Sequence, residues 1–282
     1  MDKRCIKLTK GRIIGVIAIK GGVGKTTAVS NLGAVLAKDF GKKVLLVDAN
    51  YSAPNLGLHL GMVKPEKTLH DVMLDKVPPS QAIHPHELGF HVLPAALAGR
   101  KVNAFKLRDK VKGLKELYDV ILIDSSPNLN EEMLSTMIAS DELLVVSSPD
   151  HPTLSCTMHA VKVAKRKRTP IGGIILNRSR NKKFELNTKE IEDATGVPVL
   201  AVVPEDVRVL EALSEMKPAA IKHPKRDVSV EYKKLAAALV GEKYVDKRLK
   251  SRIKRFVFVQ EPSKYDVNRL LVSKDGKAPL KQ

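Results

Sequence analysis

The chain has no tryptophan, only 4 % aromatic residues, and two cysteines, Cys5 and Cys156, among 282 residues. Two cysteines cannot build a disulfide framework, and they supply no CxxC pair for a metal cluster. A reducing, cytoplasmic setting is therefore expected. No apolar run approaches the ~18 residues of a membrane span. The first one, 13–19, is short and feeds a glycine-rich turn, which is not the pattern of a secretion signal. Acidic residues are scarce: 31 Asp plus Glu stand against 49 Lys plus Arg, a net charge of +18. That excess is more than solubility needs and points to a polyanion, either nucleic acid or an anionic membrane face. The alternative is a lysine-rich surface of the thermophile kind. With 43 % hydrophobic residues, the chain can still bury the core of one large α/β domain or two small ones.

Apolar runs and helical patterns alternate along most of the length. Residues 12–18 read as a buried strand, 27–39 as a helix stopped by Gly41, and 43–48 as a second strand. Further strands are expected at 91–93, 120–124, 143–147, 173–177 and 199–203. Helices are expected at 69–74, 103–117, 129–139, 154–167, 188–195, 207–215 and 228–240. Such alternation predicts an α/β fold, a doubly wound, mainly parallel sheet of about seven or eight strands with helices on both faces. Ligands of such sheets sit beyond the carboxyl ends of the strands. The chemically suggestive residues fall there: 20–26, Asp48, Asp124, Asn177 and Pro204. The alternation stops near Gly241, and 245–282 carries 11 basic and 4 acidic residues. The expected division is a domain at 1–244 and a basic tail at 245–282.

The most specific segment is Lys20-Gly21-Gly22-Val23-Gly24-Lys25-Thr26-Thr27, between a strand and a helix. Glycines let the backbone wrap so that several N–H groups face one anion, and the following helix adds its positive end. In a phosphate loop Lys25 reaches the β- and γ-phosphates and the Thr26 hydroxyl coordinates Mg²⁺. The general pattern has glycine at position 19, where this chain has Ile19 followed by a second lysine, Lys20. This deviant form resembles the MinD/ParA family of P-loop ATPases, from about residue 12 to 241.

The resemblance implies ATP and Mg²⁺ as ligands and a homodimer bridged by ATP, in which Lys20 crosses to the partner subunit's phosphates. A positive charge delivered in trans stabilises the transferred phosphoryl group as an arginine finger does. It also implies Asp48 and Asp124 beside the metal with Thr26. The family has Asp-x-Asp at the second strand end, and here the second member is Asn50. An amide can hold a water but cannot take its proton, so slow hydrolysis is expected from a site made of Lys20, Lys25, Asp48 and Asn50. Asn55 and Pro127 fall in the family's two switch regions. Asn177 and Arg178, with Pro204, Glu205 and Asp206, match its adenine segments, which with Gly21, Gly22, Val23, Gly24, Lys25, Thr26 and Thr27 complete the nucleotide contacts. The implied task is positioning division machinery, DNA or another cargo on an anionic surface, with an activating partner protein. Alternatives are an ATP-binding scaffold with little hydrolysis, a metal-cluster carrier of the Mrp type, and a small-molecule synthetase on the same fold.

Three weaker patterns remain. His151, Cys156 and His159 do not match a common zinc spacing. Residues 162–183 hold nine basic residues and no acidic ones, either a sequence-independent DNA patch or a solvated helix end. In 245–259, Val245, Leu249, Ile253 and Phe256 fit one helical face amid basic residues, as in a membrane-surface helix. The strand propensity of 255–259 offers a hairpin with 270–272 instead.

Overall fold

The computed structural model describes residues 11–99, 101–248 and 263–275. Eight strands form one sheet: β1 (Arg12–Ile17), β2 (Val44–Ala49), β3 (His84–Pro85), β4 (His91–Leu93), β5 (Val120–Ser125), β6 (Glu142–Ser147), β7 (Ile171–Ser179) and β8 (Val199–Pro204). The spatial order is β3-β4-β2-β5-β1-β6-β7-β8. All neighbours are parallel except the short β3–β4 pair. The doubly wound parallel sheet read from the alternation is the fold observed, and each expected strand is present.

The central strands are buried on both faces, which is why they read as unbroken apolar runs. Within β1, Ile14 and Val16 face one core and Ile13 and Ile17 the other. On the first face α1 (Lys25–Lys38) packs Val29, Leu32, Val35 and Leu36 beside Tyr232 and Leu235 of the helix Asp227–Leu239. Gly41 ends α1 in a left-handed turn at φ 60°, its N–H donating to Ala37 O. On the second face lie the helices Leu69–Met73, Leu107–Lys112, Glu131–Ala139 and His151–Arg166.

The helix expected over 103–117 is broken into 3₁₀ turns at Ala104–Lys106 and Gly113–Glu116 around one short α-helix. Gly113 and the tight return to β5 shorten it. The short helices Leu56–His59, Pro79–Ala82 and Ala219–Lys222 carry too few residues to show a period.

A helix at Lys264–Asp275 folds back onto β8 and onto Asp227–Leu239. The hairpin option for 270–272 is thereby corrected: these residues are helical, and Val272 joins the first core. Residues 245–248 are not helical, and the rest of the proposed membrane-surface segment lies outside the described residues. The returning helix covers the outer edge of β8, where Asn268 Nδ2 donates to Val199 O at 2.9 Å and Arg269 Nε bonds Leu200 O. Edge carbonyls that would otherwise recruit another strand are thus satisfied by side chains.

Candidate nucleotide site

Three adjacent strands, β2, β5 and β1, end side by side, and each delivers part of one site. In their register Asp48 of β2 stands opposite Asp124 of β5, and Asp124 opposite Val16 of β1. The turn after β1 leads into α1 through Gly22 at φ 75° and Gly24 at φ 98°, conformations that glycine adopts without strain. Gly24 also has no room for a side chain, because a Cβ there would meet Asn177 Nδ2 at 2.2 Å. Asn177, at the end of β7, donates from Nδ2 to Val23 O at 2.7 Å. The β7 residue expected at the base thus also braces the phosphate loop.

Lys25 is the first residue of α1 and is buried, which lowers its ammonium pKa against the attraction of Asp124. Thr26 Oγ1 donates to Asp124 Oδ2 at 2.6 Å. The other oxygen, Asp124 Oδ1, is buried with no hydrogen-bond partner. Burial pushes the Asp124 carboxyl up to about 6, opposed by Thr26 and Lys25. Asp48 is also raised well above its ordinary value, by burial first and then by the negative charge of Asp124, although it accepts from Asn50 N at 3.1 Å and Leu56 N at 3.0 Å. Two buried carboxylates, one oxygen unpartnered, and a hydroxyl form an oxygen-donor set that fits a small divalent cation.

Asn50 is buried and turned back on its own loop. Its Nδ2 donates to Ala53 O, and its Oδ1 accepts from Ala53 N at 3.3 Å. Asn55 Nδ2 also donates to Ala53 O, at 2.9 Å. Gly21, whose nearest side chain is Pro127, lies at the exposed outer turn of the loop. Thr27 O accepts from Asn31 Nδ2 at 2.7 Å, fixing the first turn of α1.

Lys20 is exposed and does not bond within its own loop. Its Nζ donates to Thr153 Oγ1 at 2.8 Å and lies 3.3 Å from Asp150 Oδ1. Asp150 caps the helix His151–Arg166 and accepts from Ser148, Thr153 and Lys20, which hold its carboxyl down at about 2 despite partial burial. Sequence reasoning missed Asp150 and Thr153. Their signal was the Asp-x-x-Thr cap pattern, hidden by starting that helix at residue 154.

At the neighbouring strand ends, β7 and β8 pair at Ser179 and Pro204, and Glu205 N donates to Ser179 O at 2.9 Å. Arg178 is exposed at φ 57°. Glu205 pairs with Arg180, while Asp206 caps Val207–Ser214 and holds Arg226 Nε at 2.8 Å. Asn177, Arg178, Pro204, Glu205 and Asp206 therefore share one rim beside the glycine loop.

The nine basic residues of 162–183 are divided by β7. Lys162 to Arg168 precede that strand, whereas Arg178 sits at its end and Arg180 to Lys183 follow it, so about seven strand residues, roughly 23 Å, separate the two groups. His151 and His159 are exposed on one helix with half-buried Cys156. Among the described residues no group of three or more His, Cys, Asp or Glu side chains is placed to hold a metal, and no helix is long and apolar enough to cross a membrane.

This arrangement matches known proteins. The AAA domain family matches residues 11–169. An uncharacterized ATP-binding protein of Methanocaldococcus jannaschii is 35 % identical over 250 residues, 86 % of this chain and 94 % of that protein. The chromosome partitioning protein ParA of Caulobacter vibrioides is 32 % identical over 252 residues, 82 % of this chain and 94 % of its own. The septum site-determining protein MinD of Pyrococcus horikoshii, solved with Mg-ADP, superposes at TM-score 0.76 with 35 % identity, covering 80 % of this chain and 94 % of that one. The chain belongs to the MinD/ParA family of P-loop ATPases. The family expected from the doubled lysine and the five strand ends is the one found. The carboxylate and hydroxyl oxygens of Asp48, Asp124 and Thr26 suit a divalent cation, and the glycine turn with buried Lys25 at the start of α1 suits an anion.

Proposed function

We propose that this protein is an ATP-dependent dimerisation switch of the MinD/ParA kind that positions a cargo on an anionic surface. Gly21 to Thr27 hold the phosphates, Lys25 neutralises their charge, and Asn177, Arg178, Pro204, Glu205 and Asp206 bound the base. Thr26, Asp48 and Asp124 hold Mg²⁺, which supplies charge stabilisation to the transferred phosphoryl group. The observation that carries the reading is Lys20. A lysine beside the phosphate turn that bonds away from it, to Asp150 and to buried Thr153, can serve a partner subunit's phosphates once those two contacts open. Nucleotide then closes two copies across the rim, and hydrolysis, stimulated by a partner protein, separates them.

A second reading, a scaffold that binds ATP and scarcely hydrolyses it, draws on Asn50. Each end of its amide bonds Ala53, which turns it towards its own loop, and an amide cannot take a proton from water. Of the two halves of the basic segment, Arg178 to Lys183 lie on the nucleotide rim and Lys162 to Arg168 at the opposite end of β7. The second half is the better surface for DNA or acidic lipid in a dimer closed across the rim.

Sedimentation with Mg-ATP, with and without non-specific duplex DNA or vesicles containing anionic lipid, tests this directly. The wild type should sediment as a dimer and co-sediment with one polyanion. Lys20→Ala should remain monomeric while still binding nucleotide. A Lys20→Ala protein that dimerises normally, or a wild type retained by neither polyanion in any nucleotide state, removes the proposal.

A further inference from the structure

The three most exposed large apolar side chains among the described residues all lie beyond the ends of two neighbouring strands. Phe184 is 78 % exposed, Val207 71 % and Leu210 61 %. Phe184 follows β7, and Val207 and Leu210 follow β8. Arg180 pairs with both oxygens of Glu205 between the two segments, so the three side chains flank one ionic bridge. Single exposed apolar residues are ordinary, whereas a cluster of them marks a contact surface.

Both segments hold these side chains outward. Lys182 to Glu185 form a tight turn, closed by Glu185 N donating to Lys182 O at 3.0 Å, with Phe184 at its third position. The Glu185 carboxylate accepts from Arg180 N at 2.8 Å and Ser179 Oγ at 3.1 Å. The next residue, Leu186, is buried, and its N–H donates to Pro149 O at 3.1 Å. Phe184 therefore stands on a turn fixed at both ends.

The helix Val207–Ser214 reverses the usual arrangement of a surface helix, whose apolar stripe faces the core. Only its Ala212 is buried. Its charged residues serve its neighbours instead: Glu211 lies 3.2 Å from Lys222 Nζ, and the capping Asp206 holds Arg226. Val207, Leu210 and Leu213 recur at every third position and are exposed, and exposed Met216 follows just past the helix at φ 54°.

Phe184 and this stripe leave roughly 400–500 Å² of apolar surface in water, a size at which a patch on a monomer is often functional. A stable pair buries about 800 Å² on each partner, so this surface alone falls short and needs a second contact beside it. The base contacts Asn177, Pro204 and Glu205 lie at or near the ends of the same two strands. Two copies closing across that rim over bound nucleotide bring the apolar patch into the same contact. Glu211 and Glu215, whose side chains are 37 % and 50 % exposed beside the stripe, disfavour an anionic bilayer as its cover.

We propose that a second copy of this chain covers Phe184, Val207 and Leu210 in the nucleotide-bridged pair, an inference that rests on the switch reading and names the apolar surface by which the pair adheres. The shortfall in area explains why pairing would wait for nucleotide.

Sedimentation velocity of the full-length protein over a concentration series, with Mg-ADP or with the non-hydrolysable analogue Mg-AMP-PNP, tests this. Phe184→Glu and Leu210→Glu should each weaken AMP-PNP-dependent pairing roughly tenfold or more. Mg-ADP affinity and melting temperature should stay as in the wild type, and Phe184→Leu should pair nearly normally. The chain has no tryptophan, so Phe184→Trp supplies a single reporter. Its emission should shift to the blue with Mg-AMP-PNP, increasingly as protein concentration rises, and stay unchanged with Mg-ADP. Unaltered pairing in both glutamate variants overturns the proposal and leaves the nucleotide switch standing, whereas a wild type that stays monomeric removes both. An equal emission shift with Mg-ADP at every protein concentration overturns it in favour of a contact with the base. Loss of binding to anionic vesicles by Phe184→Glu with pairing intact overturns it in favour of a bilayer.

Discussion

Replacing Arg269 with methionine should destabilise the whole domain, although residue 269 lies far from the nucleotide site in the fold and near the end of the chain. The Arg269 and Glu231 side chains are 7 % and 9 % exposed, and the guanidinium also bonds Leu200 O and lies 3.1 Å from Asp266 Oδ1. Without it, Glu231 keeps only Val202 N at 3.2 Å and Lys234 Nζ at 3.9 Å. Breaking a buried pair by removing one partner costs about 3–5 kcal/mol, and the two remaining contacts favour the lower end, about 3 kcal/mol. For a chain of this size that lowers Tm by roughly 6–12 °C. The cost has a definite pH dependence. Burial already raises the Glu231 carboxyl above its ordinary value, with Arg269 opposing the rise, so the variant's carboxyl must rise further. A raised folded-state pKa means that the folded protein holds its proton more tightly. The stabilisation this provides is complete below the unfolded pKa and is lost as pH rises through the folded value. The deficit should therefore be largest at pH 8 and shrink towards pH 5. Adding Glu231→Leu to Arg269→Met should restore most of the loss, because a well-packed apolar pair of similar volume replaces the ions. Scanning calorimetry at the two pH values measures all of this. A deficit under about 1 kcal/mol at pH 8, or one independent of pH, refutes the docking of Lys264–Asp275 as the structure draws it.

At one of the carboxylates proposed to hold Mg²⁺, Asp124→Asn should stabilise the nucleotide-free protein at pH 8 by about 3 kcal/mol, since the native carboxyl is raised from its ordinary 3.8 to about 6. By the same sign rule the wild type without nucleotide should gain stability as pH falls from 8 towards 6. The variant should also lose the thermal shift produced by Mg-ADP, and a variant with no gain and an unchanged shift refutes the assignment. Asn50→Asp should speed single-turnover hydrolysis roughly a hundredfold, the low end of general-base effects; a rate no faster than wild type shows that Asn50 does not stand at the attacking water. Gly24→Ala should cost about 1–3 kcal/mol and abolish nucleotide binding, because φ is 98° and the new Cβ collides with the amide of Asn177. Fluorescent nucleotide titration with a parallel melt separates the two effects, and retained affinity contradicts the cradle described for this loop.

What the linear order of residues settles here is local in origin. Apolar runs of strand length alternating with helical periods force a covered parallel sheet, because no other arrangement buries both faces of such strands. A doubled lysine around three glycines between a strand and a helix specifies a phosphate turn by its backbone needs alone. Asp48, Asp124, Asn177 and Pro204 were legible because strand ends in this architecture converge on one rim. Contacts between segments distant in sequence were settled only by folding. The strand register sets Asp48 against Asp124, and the packing of β6 beside β1 brings Asp150 and Thr153 to Lys20. The nine-residue span of β7 divides one basic run into two surfaces. The strongly basic tail shows the limit most clearly. Its composition is that of a solvated or surface-bound segment, yet Arg269 and Val272 are buried. The reason is that β8 is an edge strand with open carbonyls, and Glu231 beside it needs a cation; that demand is written in the sheet, not in the tail.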